Sequence, residues 1–299
     1  MNFGSVDDIS EINFQLPPDH WQTEKVLSHS RSKKTGVYVG CAKWGRPDWR
    51  GILFPVETKE KDFLHQYVKQ FNSIELNATH HRIPSAETVK KWASIAEPGF
   101  LFCPKFAKAI SVYKELEGAG ELTKLFASRL RLLKKHLGPC FLQLMPTFIP
   151  AKAGVLKNYI KLLIDFPAPV FIEFRNEQWF DGSEESEAIF SMMEELKIGT
   201  VVSDTAGERK LVHQRLTTPS AFIRFVGHSL HPTDFKRIDE WAERIKTWID
   251  KGLKSCYFFL HNNSDKAEIF TPDLAVYTVK KFNSVLKIKL QVPKLYKNY

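Results

Sequence analysis

The sequence predicts an α/β fold of the TIM-type (β/α)8 barrel class, with one connection, between strands six and seven, lacking a clear helix. Three observations carry this reading. Short runs rich in Val, Ile, Phe and Leu alternate with segments of helical periodicity, which implies a parallel sheet covered by helices. Eight such runs fall within about 250 residues, the usual size of this barrel. Each run is apolar early and polar late, as expected where a site lies at the carboxyl ends of the strands. An open doubly wound sheet is the runner-up. Its phosphate-binding turn, GxGxxG or GxxxxGK followed by Ser or Thr, is absent after the first strand.

The elements follow in order. Residues 1–34 read as an extension, with Asp7, Asp8, Pro17 and Pro18, and with Phe14, Leu16 and Trp21 available to tack it onto the barrel. Residues 37–41 read as the first strand. Residues 59–71 read as a helix, with Phe63, Leu64, Tyr67, Val68 and Phe71 at helical spacing. Strand 73–77 precedes helix 85–96, where Ser85 is the expected N-cap. Strand 100–105 leads to helix 121–136, whose Leu122, Leu125, Phe126, Leu130 and Leu133 share one side. Strand 139–144 and helix 152–165 follow. Strand 170–175 is β-branched and aromatic, bracketed by Pro169, and is followed by helix 183–196. Strands 198–203 and 221–226 are joined by residues 205–220, which carry no strong helical signal. Helix 235–251, strand 255–260 and helix 266–285 complete the pattern. Three regions result: an extension at 1–34, a barrel at 35–285 and a basic tail at 286–299, with Lys287, Lys289, Lys294 and Lys297. The tail alternates Leu286, Ile288, Leu290 and Val292 with lysines, which reads as a peripheral strand.

Composition narrows the function classes. With 299 residues, 43% of them hydrophobic, the chain fills one sizeable core. No apolar run approaches the roughly 20 residues that span a bilayer. The acidic, polar start lacks the basic and apolar regions of a secretory signal, so a cytoplasmic location with no membrane partner is expected. Cys41, Cys103, Cys140 and Cys256 lie in apolar segments without metal-ligand spacing and read as small buried hydrophobes. A formal charge of +9 favours anionic partners, either a small molecule or nucleic acid.

The strand ends supply the candidate site. Alternation places Glu173 and Arg175 on one face of their strand, and buried charges require pairing. Reading each strand end gives three candidate catalytic carboxylates, Glu173, Glu75 and Asp204. The candidate binding residues are Lys105, Arg175, Arg224, Asn77, Gln143, Trp44, Trp179, His261 and Asn262. The balance of three carboxylates against three cations suits a low-dielectric mouth. Trp49 is expected to roof the barrel. Lys105, Arg175 and Arg224 would repel a cation, so no metal is assigned. His80 and His81 are placed on a loop, and no cofactor motif is visible. The chemistry that fits is isomerisation or hydrolysis of an anionic, phosphorylated or carboxylated small molecule, with Glu173 or Glu75 as acid or base. Nucleic-acid recognition or repair, and a non-catalytic binding role, are the alternatives.

Several motifs also resemble a known family. Gly40-Cys41-Ala42-Lys43-Trp44 with Pro47-Asp48-Trp49-Arg50-Gly51 and Phe54-Pro55 is similar to the opening motif of the YecE-like proteins, domain-of-unknown-function family 72. Phe71-Asn72-Ser73-Ile74-Glu75-Leu76-Asn77-Ala78-Thr79, Phe102-Cys103-Pro104-Lys105, Gln143-Leu144-Met145-Pro146, Glu173-Phe174-Arg175 with Trp179-Phe180, and Asp204-Thr205 follow in the family's order. The resemblance spans roughly residues 36–285 and implies a TIM barrel, without an established reaction. The chain departs from that pattern at Ala42-Lys43, where Ser-Gly is usual, and at Asn176 and Val226, where His is usual. His261 stands in a segment that is often Phe-Asn-Asn.

Overall fold

The computed structural model describes residues 4, 6, 8–30 and 35–296. Asp7, the 31–34 end of the extension and Lys297 of the basic tail lie outside the described residues. Among the described residues, eight parallel strands form at the expected places: β1 (Gly36–Cys41), β2 (Ser73–Leu76), β3 (Leu101–Pro104), β4 (Cys140–Gln143), β5 (Val170–Glu173), β6 (Gly199–Asp204), β7 (Ser220–Gly227) and β8 (Ser255–Asn262). Their helices are α1 (Trp21–Ser28), α2 (Phe63–Tyr67), α3 (Ala78–His81), α4 (Ala86–Ile95), α5 (Lys108–Ser111), α6 (Gly120–Leu130), α7 (Ala153–Lys161), α8 (Glu184–Glu195), α9 (Pro232–Asp250) and α10 (Thr271–Leu286). Ser85 caps α4 by accepting the Thr88 amide at 3.2 Å. His80 and His81, expected on a loop, instead close the short helix α3.

The strands do not form one continuous ladder. Six make a curled parallel sheet in the order β1-β8-β7-β6-β5-β4, and β2 and β3 make a separate pair. Two seams separate these sheets. At the β3–β4 seam, isolated bridges join Phe102 to Leu137 and Lys105 to Phe141. At the β1–β2 seam, side chains replace the ladder. The Asn72 carboxamide accepts from the Val39 amide and donates to the Val37 carbonyl, both at 2.9 Å. The Tyr67 hydroxyl accepts from the Cys41 amide at 2.7 Å and donates to the Ser73 carbonyl at 3.1 Å. Gly40 permits this approach, because a Cβ there would lie 2.1 Å from the Ser73 oxygen.

Strand alternation sorts the apolar residues into two cores. The larger lies between strands and helices. The smaller is internal and holds Cys103, Phe141, Phe171, Val201, Phe222 and Phe259, one from each of β3 to β8. Gly199 makes room for Phe171, whose ring would lie 2.3 Å from a Cβ at that position. All four cysteines are buried and unbridged.

The connection between β6 and β7 holds only a 3-10 turn, Arg209–Leu211. The N-terminal extension is anchored there. In α1, Thr23 Oγ1 donates to the Gln214 carbonyl and accepts from the Leu216 amide, both at 2.8 Å. Gln22 reaches Glu194 in α8 at 2.7 Å, while Asp19 accepts from Arg244 of α9 at 2.6 Å. The extension therefore occupies the interval between α8 and α9 that the missing helix leaves. Leu16 and Leu27 are buried, and Phe14 stacks on the Arg209 and Arg237 guanidiniums at 5.1 and 4.8 Å. Trp21, expected as an anchor, is 62% exposed.

Among its described residues the tail pairs as no strand, and Leu286, expected in that strand, instead ends α10. Asn283 holds the tail by accepting from the Leu290 amide at 2.7 Å and donating to its carbonyl at 2.8 Å. Ile288, Leu290, Val292 and Leu295 pack on the core, and Lys287, Lys289 and Lys294 face solvent. No helix among the described residues is long and apolar enough to cross a membrane.

Candidate functional site

The polar residues converge because they continue the internal apolar layer by one period. Two positions beyond Cys103, Phe141, Phe171, Val201, Phe222 and Phe259 stand Lys105, Gln143, Glu173, Ser203, Arg224 and His261. Ladder register sets Gln143 beside Glu173 and Ser203 beside Arg224. Glu75 of β2 completes the layer. The ring thus sits directly above an aromatic plug, and the Arg224 guanidinium lies 5.1 Å from the centre of the Phe141 ring.

Arg224 is the hub. Its Nε and Nη2 donate to the two Glu75 oxygens at 2.8 Å each, and its Nη1 reaches both Glu173 oxygens at 2.8 and 2.9 Å. Glu173 also accepts from Gln143 Nε2 at 2.8 Å and Ser203 Oγ at 2.7 Å. Glu75 accepts from Asn77 Nδ2 at 2.8 Å and lies 3.0 Å from His261 Nε2. An ionised carboxylate only accepts, so that nitrogen carries the proton. Lys105 Nζ donates to Gln143 Oε1 at 2.9 Å, which links it through the amide to Glu173. Both carboxylates are 0% exposed and Arg224 is 3% exposed.

The electrostatics follow from this geometry. Burial pushes the Glu173 carboxyl up, but Arg224, Arg175 and Lys105 outweigh it and hold the group below the usual carboxylate range. Burial acts on Glu75 in the same way, and Arg224 and His261 hold it well below that range. Burial, reinforced by Arg224, pushes Lys105 down to about 8. A carboxyl with a lowered folded-state pKa contributes stability above its unfolded value, near about 4.3, and loses it as pH falls through the folded value. The carboxylates' share of stability is therefore expected to hold from neutral pH to about pH 5 and to fall below about pH 4, while His80, held down at about 4, adds a loss that begins below about pH 6.5. Circular dichroism along an acid titration checks this. A flat profile down to about pH 2 would show that the pairs contribute nothing.

Other candidates lie elsewhere. Asp204 is one residue out of the inward phase. It faces the helical layer, where it accepts from Trp241 Nε1 at 2.8 Å and Arg237 Nη1 at 3.1 Å, and pairs with Arg209. Asn262 is out of phase in the same way. It accepts from the Ser229 amide and donates to Thr271 Oγ1, both at 3.0 Å. Trp179 is fully buried, donates to the Phe148 carbonyl at 2.7 Å and packs 4.9 Å from Phe174, so it presents no face to a ligand. Trp49 is also fully buried and donates to the Glu268 carbonyl at 3.0 Å. Trp44 is half-buried, edge-on to Trp92 at 5.9 Å.

Arg175 stands one layer above Glu173, with Nη1 3.6 Å from a Glu173 oxygen. Its Nη2 donates to Glu208 at 2.6 Å. Both residues line a cleft of about 470 Å³ with Pro146, Asn176, Arg209 and Lys210. Glu208 and Ser203 were not among the sequence candidates. Ser203 shared the inward phase and was legible, whereas Glu208 arrives from an irregular loop. His80 is buried beside the ring. Its Nδ1 bonds the Phe106 carbonyl at 2.6 Å and so bears the proton, and burial together with Lys105 pushes it down to about 4. Among the described residues, no three His, Cys, Asp or Glu side chains form a group fit to hold a metal.

Comparison with known proteins agrees with the fold. The chain is 26% identical over 258 residues to UPF0759 protein YecE of Escherichia coli strain K12, covering 80% of this chain and 88% of that protein. It is 22% identical over 257 residues to UPF0759 protein YunF of Bacillus subtilis strain 168, covering 76% and 89%. The crystal structure of a DUF72 family protein from Enterococcus faecalis V583 superposes with a TM-score of 0.67 at 17% identity, covering 86% of this chain and 98% of that one. A DUF72 family protein from Thermotoga maritima MSB8 gives 0.61 at 22% identity, covering 85% and 100%. The family model described as "Protein of unknown function DUF72" matches residues 38–294, and the chain belongs to that family.

Proposed function

We propose that the protein is an enzyme acting on a carboxylated or phosphorylated small molecule, by acid–base chemistry at the carboxyl ends of the strands of a (β/α)8 barrel. Side-chain bonds at one seam and backbone bridges at the other support the closed-barrel reading. One observation carries the functional reading: two ionised carboxylates, a bidentate arginine and a lysine converge, all buried, from β2, β5, β7 and the residue just beyond β3. Buried charges in such number favour a site over a purely structural network. Glu173 is the proposed proton acceptor, with Glu75 and His261 as the second acid–base pair. Gln143 and Asn77 orient the substrate or the carboxylates. Asp204 is a positioning residue, because it faces the helices.

Arg175 is the proposed anion holder, and Glu208 stands where the substrate's anionic group would bind. Removing that internal competitor exposes the guanidinium. Glu208→Gln is therefore expected to bind inorganic phosphate about tenfold more tightly than the parent, and Arg175→Met to lose binding. Isothermal titration calorimetry reads both. Equal phosphate affinity in the parent and both variants would overturn the assignment.

A further inference from the structure

Lys105 carries chemistry that proton transfer between the carboxylates leaves unused. Its Nζ is buried and makes one hydrogen bond among the described residues, to Gln143. An ammonium has three N–H donors, so the charged form is poorly satisfied there. The ring of Phe141 lies 5.7 Å below it. Arg224 and Arg175 disfavour a further positive charge, Glu173 and Glu75 oppose them, and His80 on α3 is neutral at pH 7. Burial and the neighbouring cations leave an amine far more often unprotonated at neutral pH than an exposed lysine, a recognised way to make lysine nucleophilic.

We propose that Lys105 forms an imine with an aldehyde or ketone that also bears a carboxylate or phosphate. The anionic end rests on Arg175, which depends on the reading given above. Lys105 and Arg175 are linked through Gln143 and Glu173 by contacts of 2.9, 2.8 and 3.6 Å, and the proposed substrate spans from one to the other. The Nζ lone pair attacks the carbonyl carbon, a C–N bond forms, and the π pair moves to oxygen. The nitrogen loses a proton and the oxygen gains one. The carbinolamine then expels its hydroxyl as water, with a proton from solvent, to leave C=N. The protonated imine draws electrons from the adjacent carbon, and Glu173 is the base that takes that carbon's proton. Lysine–carbonyl imines of this kind support isomerisation and carbon–carbon bond cleavage.

The test is reductive trapping on the full chain. Parent protein is incubated with sodium cyanoborohydride and either pyruvate or uncharged glycolaldehyde, and the modified lysines are located by peptide mass mapping. Cyanoborohydride delivers hydride to the imine carbon and fixes the adduct as a secondary amine. The expected result is one dominant adduct on Lys105, formed at least about tenfold faster than on Lys43 or Lys124. Lys105→Arg, which keeps the cation, loses that adduct. Mapping the parent locates the site even if the variant fails to fold. Labelling spread over exposed lysines, with Lys105 unmodified, overturns the imine whatever phosphate does. Inorganic phosphate is expected to slow pyruvate labelling and to spare glycolaldehyde labelling. If Lys105 is labelled but phosphate slows neither probe, the imine stands and the Arg175 reading falls.

Discussion

Arg224→Met is expected to destabilise the fold by about 3–5 kcal/mol, because it strands two buried carboxylates at once. Arg224 supplies four donor contacts of 2.8–2.9 Å to Glu75 and Glu173, both wholly inaccessible. Gln143, Ser203, Asn77 and His261 would remain, but no group of comparable charge would touch Glu75. The carboxyls would then shift upward and take up protons, so their contribution to the variant's stability should rise as pH is lowered from 7 to about 5, a range over which the parent's carboxylate contribution is flat. The sign follows from linkage: a folded-state pKa above the unfolded value adds stability at low pH that is lost as pH rises through the folded value. Urea unfolding at both pH values reads the effect. Combining Arg224→Met with Glu75→Gln and Glu173→Gln should recover most of the loss, since the uncompensated charges are gone. An Arg224→Met midpoint equal to the parent's would show that the ring is not held by this residue.

Trp179→Ala is expected to cost about 3–5 kcal/mol, by removing a large side chain from a site that cannot collapse. The indole is 0% exposed, with Phe148 stacked and Phe174 tilted against it and its N–H on the Phe148 carbonyl. Truncation also leaves that carbonyl without its donor. Trp44→Ala, at a half-buried edge contact with Trp92, should cost no more than about 2 kcal/mol. Thermal unfolding of the two variants separates the roles. A normal melting temperature for Trp179→Ala, with ligand binding lost, would restore it as a stacking residue.

The contrast between these tryptophans shows what a sequence conveys. Both stand in loops beyond strand ends, and both look equally available for stacking. Burial is decided by what the loop packs against, and Phe148, which covers Trp179, lies 31 residues away. Asp204 and Asn262 show a finer failure. Each is a polar residue at a strand's carboxyl end and so has the sequence signature of a site residue. Their neighbours Ser203 and His261 hold the inward phase, so Asp204 and Asn262 turn to the helices. Counting strictly by twos from Phe171, Val201, Phe222 and Phe259 would have separated them.

By itself the sequence determined the order of the strands, of the helices between them apart from α1, α3 and α5, and most of the polar ring. These depend on periodicity, which is local: a strand's inward face is set by alternate positions within a few residues. Tertiary structure alone decided that Arg224 bridges Glu75 and Glu173, 149 and 51 residues distant in the chain. It also decided that Glu208 meets Arg175, that Asn72 and Tyr67 hold a seam in place of a ladder, and that α1 fills the interval beside β6 and β7. Each of these depends on the register between strands or on where an irregular segment closes. No local pattern carries that information, because it arises only when distant segments bury one another.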